Sequence, residues 1–256
     1  LHAMCRPPAV EIEAVERMIR LSETTGGSLY IVHMSTGEAA DRVKAAQARG
    51  VPVTAETCAH YLVLDDSVFD RPDGHLFATC PQVKKPSDRE RLWRGLQDGE
   101  ISVVSTDTCT FTCAQKDAWN GDWTRIPMGL PGVETLLPLV YTSGVLGGRI
   151  SISEMARLLS AEPARLMGLA PRKGTLEVGA DADLVVVHPN RKTKVDSAAM
   201  ESNADWSPYE GWELAGFPRT TMSRGEVIVE DYKVVCRDGR GQWIARYLRP
   251  ESTAAS

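Results

Sequence analysis

Three ionisable residues stand where an apolar run gives way to polar chain: His33 after "LYIV", Glu56 after "VPVTA" and Asp107 after "ISVVST". A neutral imidazole nitrogen and a carboxylate oxygen are donors that borderline divalent metals accept, and a carboxylate beside a metal-bound water can also take its proton. A competing chemistry follows in the same stretch, because Cys109 and Cys113 come directly after Asp107. Their C-x3-C spacing is neither the C-x2-C of structural zinc sites nor that of redox helices, and no second pair lies near. The thiols are therefore read as unpaired loop cysteines, and Asp107 as the chemical group of the stretch.

One strand-end histidine by itself is often a satisfied core group, and "STD" by itself is a common capping turn. Together, a histidine and an aspartate at the ends of different strands are what a metal site needs. Two donors do not hold a catalytic metal, which takes three or more protein groups plus water. Of the other histidines, only His60 in "ETCAHYL" lies near a strand end; His75 falls in a turn-rich loop, His188 follows a C-terminal strand and His2 sits beside the first residue.

The elements that must position these groups alternate in type. "PPAVEIEAVERMIRLSETTGG" has a helical apolar face at Val10, Ala14, Val15, Met18, Ile19 and Leu21, with Gly26 and Gly27 as its stop. "SLYIVHMS" reads as a strand buried on both faces, Thr36 caps a helix ending at Gly50, and "VPVTAE" is a second strand. A turn-rich connection runs from about Thr57 to Pro86; Ser87 then caps "DRERLWRGLQDG", and "ISVVSTD" is a third strand. Strand, helix, strand in this order implies parallel strands joined by crossover helices, with functional groups gathered at the strand ends.

After Asp107 the chain reads as a Gly- and Pro-rich loop up to "IPMGLPG", followed by helices over "VETLLPLVYTSGVL" and "SISEMARLLSAEPARLMGL". From Lys173 the pattern changes to hairpin-forming strands, which divides the chain at 1–172 and 173–256. "GADADL", with Asp181 and Asp183, is read as a turn entering a strand, because no calcium ligand series follows. Trp206, Tyr209 and Trp212 are read as packing aromatics.

Composition sets bounds. The chain has 256 residues, 43% of them hydrophobic and 25% charged, ordinary values for a globular protein. A net charge of -5 gives no reason to expect nucleic acid or an anionic membrane as partner. No apolar run reaches the roughly 18 residues a membrane helix needs. Six scattered cysteines in a chain of this size point to reduced thiols and a cytoplasmic setting.

"LYIVHMST", "VTAETCAHYLVLDDSVF", "VVSTDTCTF", "QKDAWNGDWTRIPMGLPGVET", "EPARLMGLAPRKGTLEVGADADLVVV" and "SPYEGWELAGFPRTTMSRGEVIVED", in that order, resemble the later part of the cyclic amidohydrolases, in the hydantoinase and dihydropyrimidinase branch. The resemblance covers nearly the whole chain. It implies an α/β fold, a partial (β/α)8 TIM-type barrel holding about the last three of its eight strand-helix units, followed by a small β-sandwich portion. It also implies two divalent metal ions, zinc as the usual occupant, with a bridging hydroxide that opens a hydantoin or dihydropyrimidine ring to an N-carbamoyl amino acid.

Carried over residue by residue, His33 matches a histidine metal ligand, and Asp107 matches the aspartate that binds metal and shuttles the proton. Cys80 falls where the family usually has a serine whose backbone contacts the substrate ring, and Met128 where many members have an asparagine in a similar backbone role. Thr108 stands where many members have a histidine. His60 and "ETCAHYL" lean towards the allantoinase and dihydroorotase branches, in which Arg125 could serve a substrate carboxylate, although Arg125 is read first as a solvated loop arginine. A non-catalytic scaffold of the same fold is the rival from outside the enzyme class.

The family's remaining metal ligands would precede Leu1, so the chain is expected to be part of a longer enzyme and inactive alone. The full-length protein is expected to be a homo-oligomer, a dimer or tetramer. An open parallel sheet should also make the isolated chain poorly soluble or self-associating.

Overall fold

A computed structural model describes residues 2–246. A one-turn helix α1 (His2–Cys5) precedes α2 (Pro8–Thr25), which Gly26 stops with a left-handed φ of 70° while donating its N–H to the Ser22 carbonyl. Of the expected apolar face, Val15 and Ile19 are buried, but Val10, Met18 and Leu21 are exposed, because the described sheet covers only one side of the helix.

Strand β1 (Leu29–Ile31) leads to α3 (Gly37–Ala48), capped as expected by Thr36, whose hydroxyl accepts from Ala39 N–H at 3.2 Å. Strand β2 (Val53–Cys58) follows. The connection after it is more ordered than its turn residues suggest: α4 (Ala59–Val63) and two 3₁₀ turns, Asp66–Asp70 and Gly74–Phe77, occupy it. Helix α5 (Pro86–Gln97) starts one residue before the expected cap, with Pro86 in its first turn and no side-chain cap. Proline there gives up no intrahelical bond and its fixed φ suits the helix, so Ser87 is not needed.

Strand β3 (Val103–Ser105) completes a parallel sheet of order β1-β2-β3, with Leu29 beside Val53 and Glu56 beside Val103. β1 and β3 each leave one edge without a strand partner among the described residues. The stretch after Asp107 contains a short helix, α6 (Cys113–Asp117), where a loop was expected. Its signal was readable: Thr112 and Gln115 form a reciprocal capping box.

The two helices expected next are present, the first as α7 (Leu136–Val140) running into a π-type turn Tyr141–Leu146. The second runs through α8 (Ile152–Ala156), a π-type turn Arg157–Ala161 and α9 (Glu162–Leu166). Pro163 lies inside it, and the wider turn just before relieves the clash and missing donor that proline brings to a helix interior.

The C-terminal region is antiparallel. One sheet has the order β4-β7-β8-β9, from β4 (Leu184–Val187), β7 (Pro218–Ser223), β8 (Glu226–Glu230) and β9 (Lys233–Val234). The other pairs β5 (Lys192–Lys194) with β6 (Glu213–Ala215). Asp181 and Asp183 pair with Lys173, and Asp183 accepts from Arg224 N–H at 2.8 Å, so both serve the turn into β4. Trp206 and Tyr209 are buried and the Trp206 indole donates to the Phe111 carbonyl at 2.9 Å, the packing role expected of them.

Candidate active site

His33 and Asp107 lie just past the C-terminal ends of β1 and β3, the two strands that flank β2. Two strand spacings put their backbones roughly 10 Å apart, a separation that inward side chains can close. Both residues take left-handed backbone conformations, φ 42° for His33 and 45° for Asp107. Neither is glycine, so each conformation costs on the order of 1 kcal/mol, held by its surroundings.

For His33 those surroundings are explicit. Its N–H donates to Glu56 Oε1 at 3.2 Å, and the next N–H, of Met34, donates to the Glu56 carbonyl at 2.8 Å. The Thr57 hydroxyl donates to the Met34 carbonyl at 2.8 Å. Beyond that, the Glu11 carboxylate on α2 accepts from the N–H groups of Ser35 and Thr36 at 2.8 and 2.9 Å. Every turn of the backbone from His33 to Thr36 is therefore fixed from outside the loop.

Glu56, expected at a strand end, lies inside β2, which runs on to Cys58 because Glu56, Thr57 and Cys58 pair with β3; from there it bridges the chain near the two candidate ligands. Besides the His33 amide, its carboxylate accepts from the Ser105 hydroxyl at 2.7 Å and the Tyr30 hydroxyl at 2.5 Å. It thus ties the exits of β1 and β3 to β2. Burial and this carboxylate together push the Tyr30 phenol well above its usual range, so Tyr30 stays a donor.

His60 sits close by but is buried, and its Nε2 has no hydrogen-bond partner among the described residues. Burial, then the proximity of His33, pushes its pKa down to about 3, so its ring is neutral. His75 pairs with Asp117 at 2.6 Å, and His188 is exposed. Among the described residues no group of three or more His, Cys, Asp or Glu side chains could hold a metal. His33 and Asp107 have the right donor chemistry and too small a number.

The thiols remain bystanders. All six cysteines are free. Burial, then the Asp107 carboxylate, pushes Cys109 up, and burial followed by Asp205 does the same to Cys113, the opposite of an activated thiolate.

Cys80 and Met128 lie on two loops that meet. The Gly129 N–H donates to the Ala78 carbonyl at 2.9 Å. Around Cys80 each neighbouring carbonyl is taken: Thr79 accepts from the His2 ring at 3.0 Å, Pro81 from the Tyr61 hydroxyl at 2.5 Å, and Gln82 from the Lys84 amine at 3.1 Å. The peptide groups of Cys80 itself, an exposed residue, take no protein partner among the described residues, and the same holds for Met128. The Cys80 thiol accepts from Arg6 at 2.6 Å.

Lys116, which sequence reasoning passed over, connects these loops. Its amine, with no solvent exposure, donates to the Ala78 carbonyl at 3.0 Å and the Pro127 carbonyl at 3.1 Å, and lies 5.7 Å from the centre of the Trp206 ring. Burial pushes its pKa down to about 8. A cleft of about 740 Å³ lies elsewhere, lined by Thr108, Pro131, Thr193, Phe217 and Tyr232. It borders the Asp107 loop but contains neither candidate ligand.

The amidohydrolase family model matches residues 11–228, and the chain belongs to that family. Among curated relatives, a D-phenylhydantoinase of Escherichia coli O1:K1 / APEC is 43% identical over 247 residues, covering 96% of this chain and 54% of the relative. The chain spans about half the length of the curated relatives it matches. Among solved structures, a dihydropyrimidinase from Brevibacillus agri NCHU1002 superposes with a TM-score of 0.95 at 34% identity, over 97% of this chain and 55% of that one. A D-hydantoinase from a Bacillus sp. AR9 gives 0.94 at 39% identity, over 96% and 54%. An L-hydantoinase from Arthrobacter aurescens gives 0.89 at 32%, over 94% and 53%.

Proposed function

We infer that the chain serves in a hydantoinase or dihydropyrimidinase, a hydrolase that opens a cyclic amide ring to an N-carbamoyl amino acid. One observation carries the reading: a histidine and an aspartate, both held in left-handed turns, at the ends of parallel strands that one glutamate ties together. The hydantoinase names of the most similar relatives support it. In this reading residues 1–172 are the last three strand-helix units of a (β/α)8 barrel, and 173–256 a small β-sandwich portion and C-terminal tail, of which 247–256 lie outside the described residues.

His33 and Asp107 would supply two ligands to a divalent metal centre, with zinc as the expected occupant. When bound, such a centre polarises the ring carbonyl and lowers the pKa of its water. The chain's own residues do the rest. Asp107 accepts the proton released on attack and returns it to the leaving ring nitrogen. Glu56 keeps the His33 turn in place. Cys80 and Met128 offer backbone N–H and C=O groups to the cyclic amide, whose own edge alternates N–H and C=O, so the side-chain change from serine and asparagine leaves this recognition intact.

Arg125, the group that would take a substrate carboxylate in an allantoinase or dihydroorotase, is exposed at the end of the 3₁₀ turn Trp123–Arg125. The full-length protein is read as a cytoplasmic homo-oligomer acting on a small cyclic amide. Among the described residues no helix is long and apolar enough to cross a membrane. The test is ring opening of a 5-substituted hydantoin and of dihydrouracil by the full-length protein. Turnover of either supports the reading; turnover of neither, by a preparation carrying metal, removes it in favour of a scaffold.

A further inference from the structure

Lys116 has no part in the chemistry described so far, yet it is among the most completely enclosed side chains of the molecule. Enclosing an ammonium costs more than a structural tie requires, and an apolar side chain of that length would fill the same space. What the amine gains is two carbonyls on two different loops, Ala78 and Pro127, each next to or near a residue whose peptide groups take no protein partner among the described residues, Cys80 and Met128. Among the described residues one other hydrogen bond joins those loops, from Gly129 N–H to the same Ala78 carbonyl.

The base of this tie is itself fixed. α6 is closed by the Thr112 and Gln115 capping box, and its first N–H, of Cys113, donates to Asp205 Oδ1 at 2.8 Å. Trp206, next in sequence, closes over the amine and donates to the Phe111 carbonyl. The lysine is therefore anchored to the C-terminal region while it grips both loops. Gly129, with a φ of 132°, lies so close to Cys109 that a β-carbon there would come within 2.4 Å of it, so the second loop packs closely against the chain that leads into α6.

We propose that Lys116 is a positioning residue that sets the separation between the Cys80 and Met128 backbones and thereby the fit of the substrate ring. The proposal rests on the hydantoinase reading. Because the clamp consists of peptide groups, neither Cys80 nor Met128 can tune it through its side chain; the group that spaces the two loops does so instead. Metal ligation and proton transfer at His33 and Asp107 do not depend on it. A loosened clamp weakens ground-state and transition-state binding alike, which raises KM and leaves kcat in place.

The experiment compares full-length enzyme with Lys116→Met and Lys116→Gln, using phenylhydantoin and dihydrouracil as probes. For Lys116→Met the expected result is a KM about tenfold higher, the scale of losing donors to buried carbonyls, with kcat within about twofold and metal content unchanged. Lys116→Gln, whose amide can still donate, should show a smaller rise. The ratio of kcat/KM between the five- and six-membered rings should move towards one. A variant with unchanged KM and ring preference overturns the proposal, even if its Tm falls, since Lys116 would then only stabilise the fold. Failure of both variants to fold overturns it too. Absence of turnover by the unsubstituted enzyme is a separate result, which removes the hydantoinase reading.

Discussion

Two groups of opposite charge hold chain segments together at this end of the parallel sheet, and they hold different things. Glu56 gathers donors: the His33 amide and the hydroxyls of Tyr30 and Ser105. Lys116 gathers acceptors, the carbonyls of Ala78 and Pro127. The left-handed turn at His33 aims an N–H inward, where a carboxylate can receive it, whereas the loops near Cys80 and Met128 turn carbonyls inward and need a cation. Each charge matches the backbone polarity of what it ties. The first hub supports the groups assigned to chemistry, the second those assigned to recognition.

That division can be broken by substitution. The largest effect should come from Asp107→Asn, which keeps the shape and removes the proton acceptor: kcat for hydantoin opening in the full-length enzyme should fall by about a thousandfold or more. Glu56→Ala comes next. It strands three donors, so it should weaken metal retention by roughly ten- to a hundredfold, as loss of a ligand-orienting partner does, and lower kcat. Dialysis against a chelator followed by metal analysis reads the first effect. If Glu56→Ala raised KM and spared both metal and kcat, the two hubs would not divide the work as described.

A smaller effect distinguishes the hubs by pH. Lys116 has its pKa lowered from 10.5 to about 8 in the folded chain. Between those values the unfolded chain binds more protons than the folded one, so this lysine makes stability rise with pH from about 8 to about 10.5. Lys116→Met should lose that rise, at most about 1.4 kcal/mol per pH unit, in denaturant titrations of the two proteins across the window. The smallest effect is expected from Cys113→Ser: a thiol outside both hubs should change kcat and KM by less than about twofold, in the range of neutral surface changes.

The sequence made the frame of the first hub legible and hid the second. Apolar runs leading to His33, Glu56 and Asp107 marked three parallel strands, and the ends of two of them, because strand periodicity and end polarity are local properties; β2 runs two residues past Glu56. What Glu56 does there was not readable, since its partners are 23 to 49 residues away. The helix carrying Lys116 had a local signal in its capping box, but five residues flanked by Gly and Pro read as loop. Its burial depends on Trp206, which lies on the far side of the helical segments. The exposed Val10, Met18 and Leu21 show the same limit: an apolar face is written in the sequence, and what covers it is not.

The most direct test of the central claim, that His33 and Asp107 belong to a catalytic metal centre, is the divalent metal content of the purified full-length protein. About two ions per chain are expected, as in two-metal hydrolases, with loss from His33→Ala and Asp107→Ala variants that remain folded. A folded full-length protein that binds no divalent metal would contradict it.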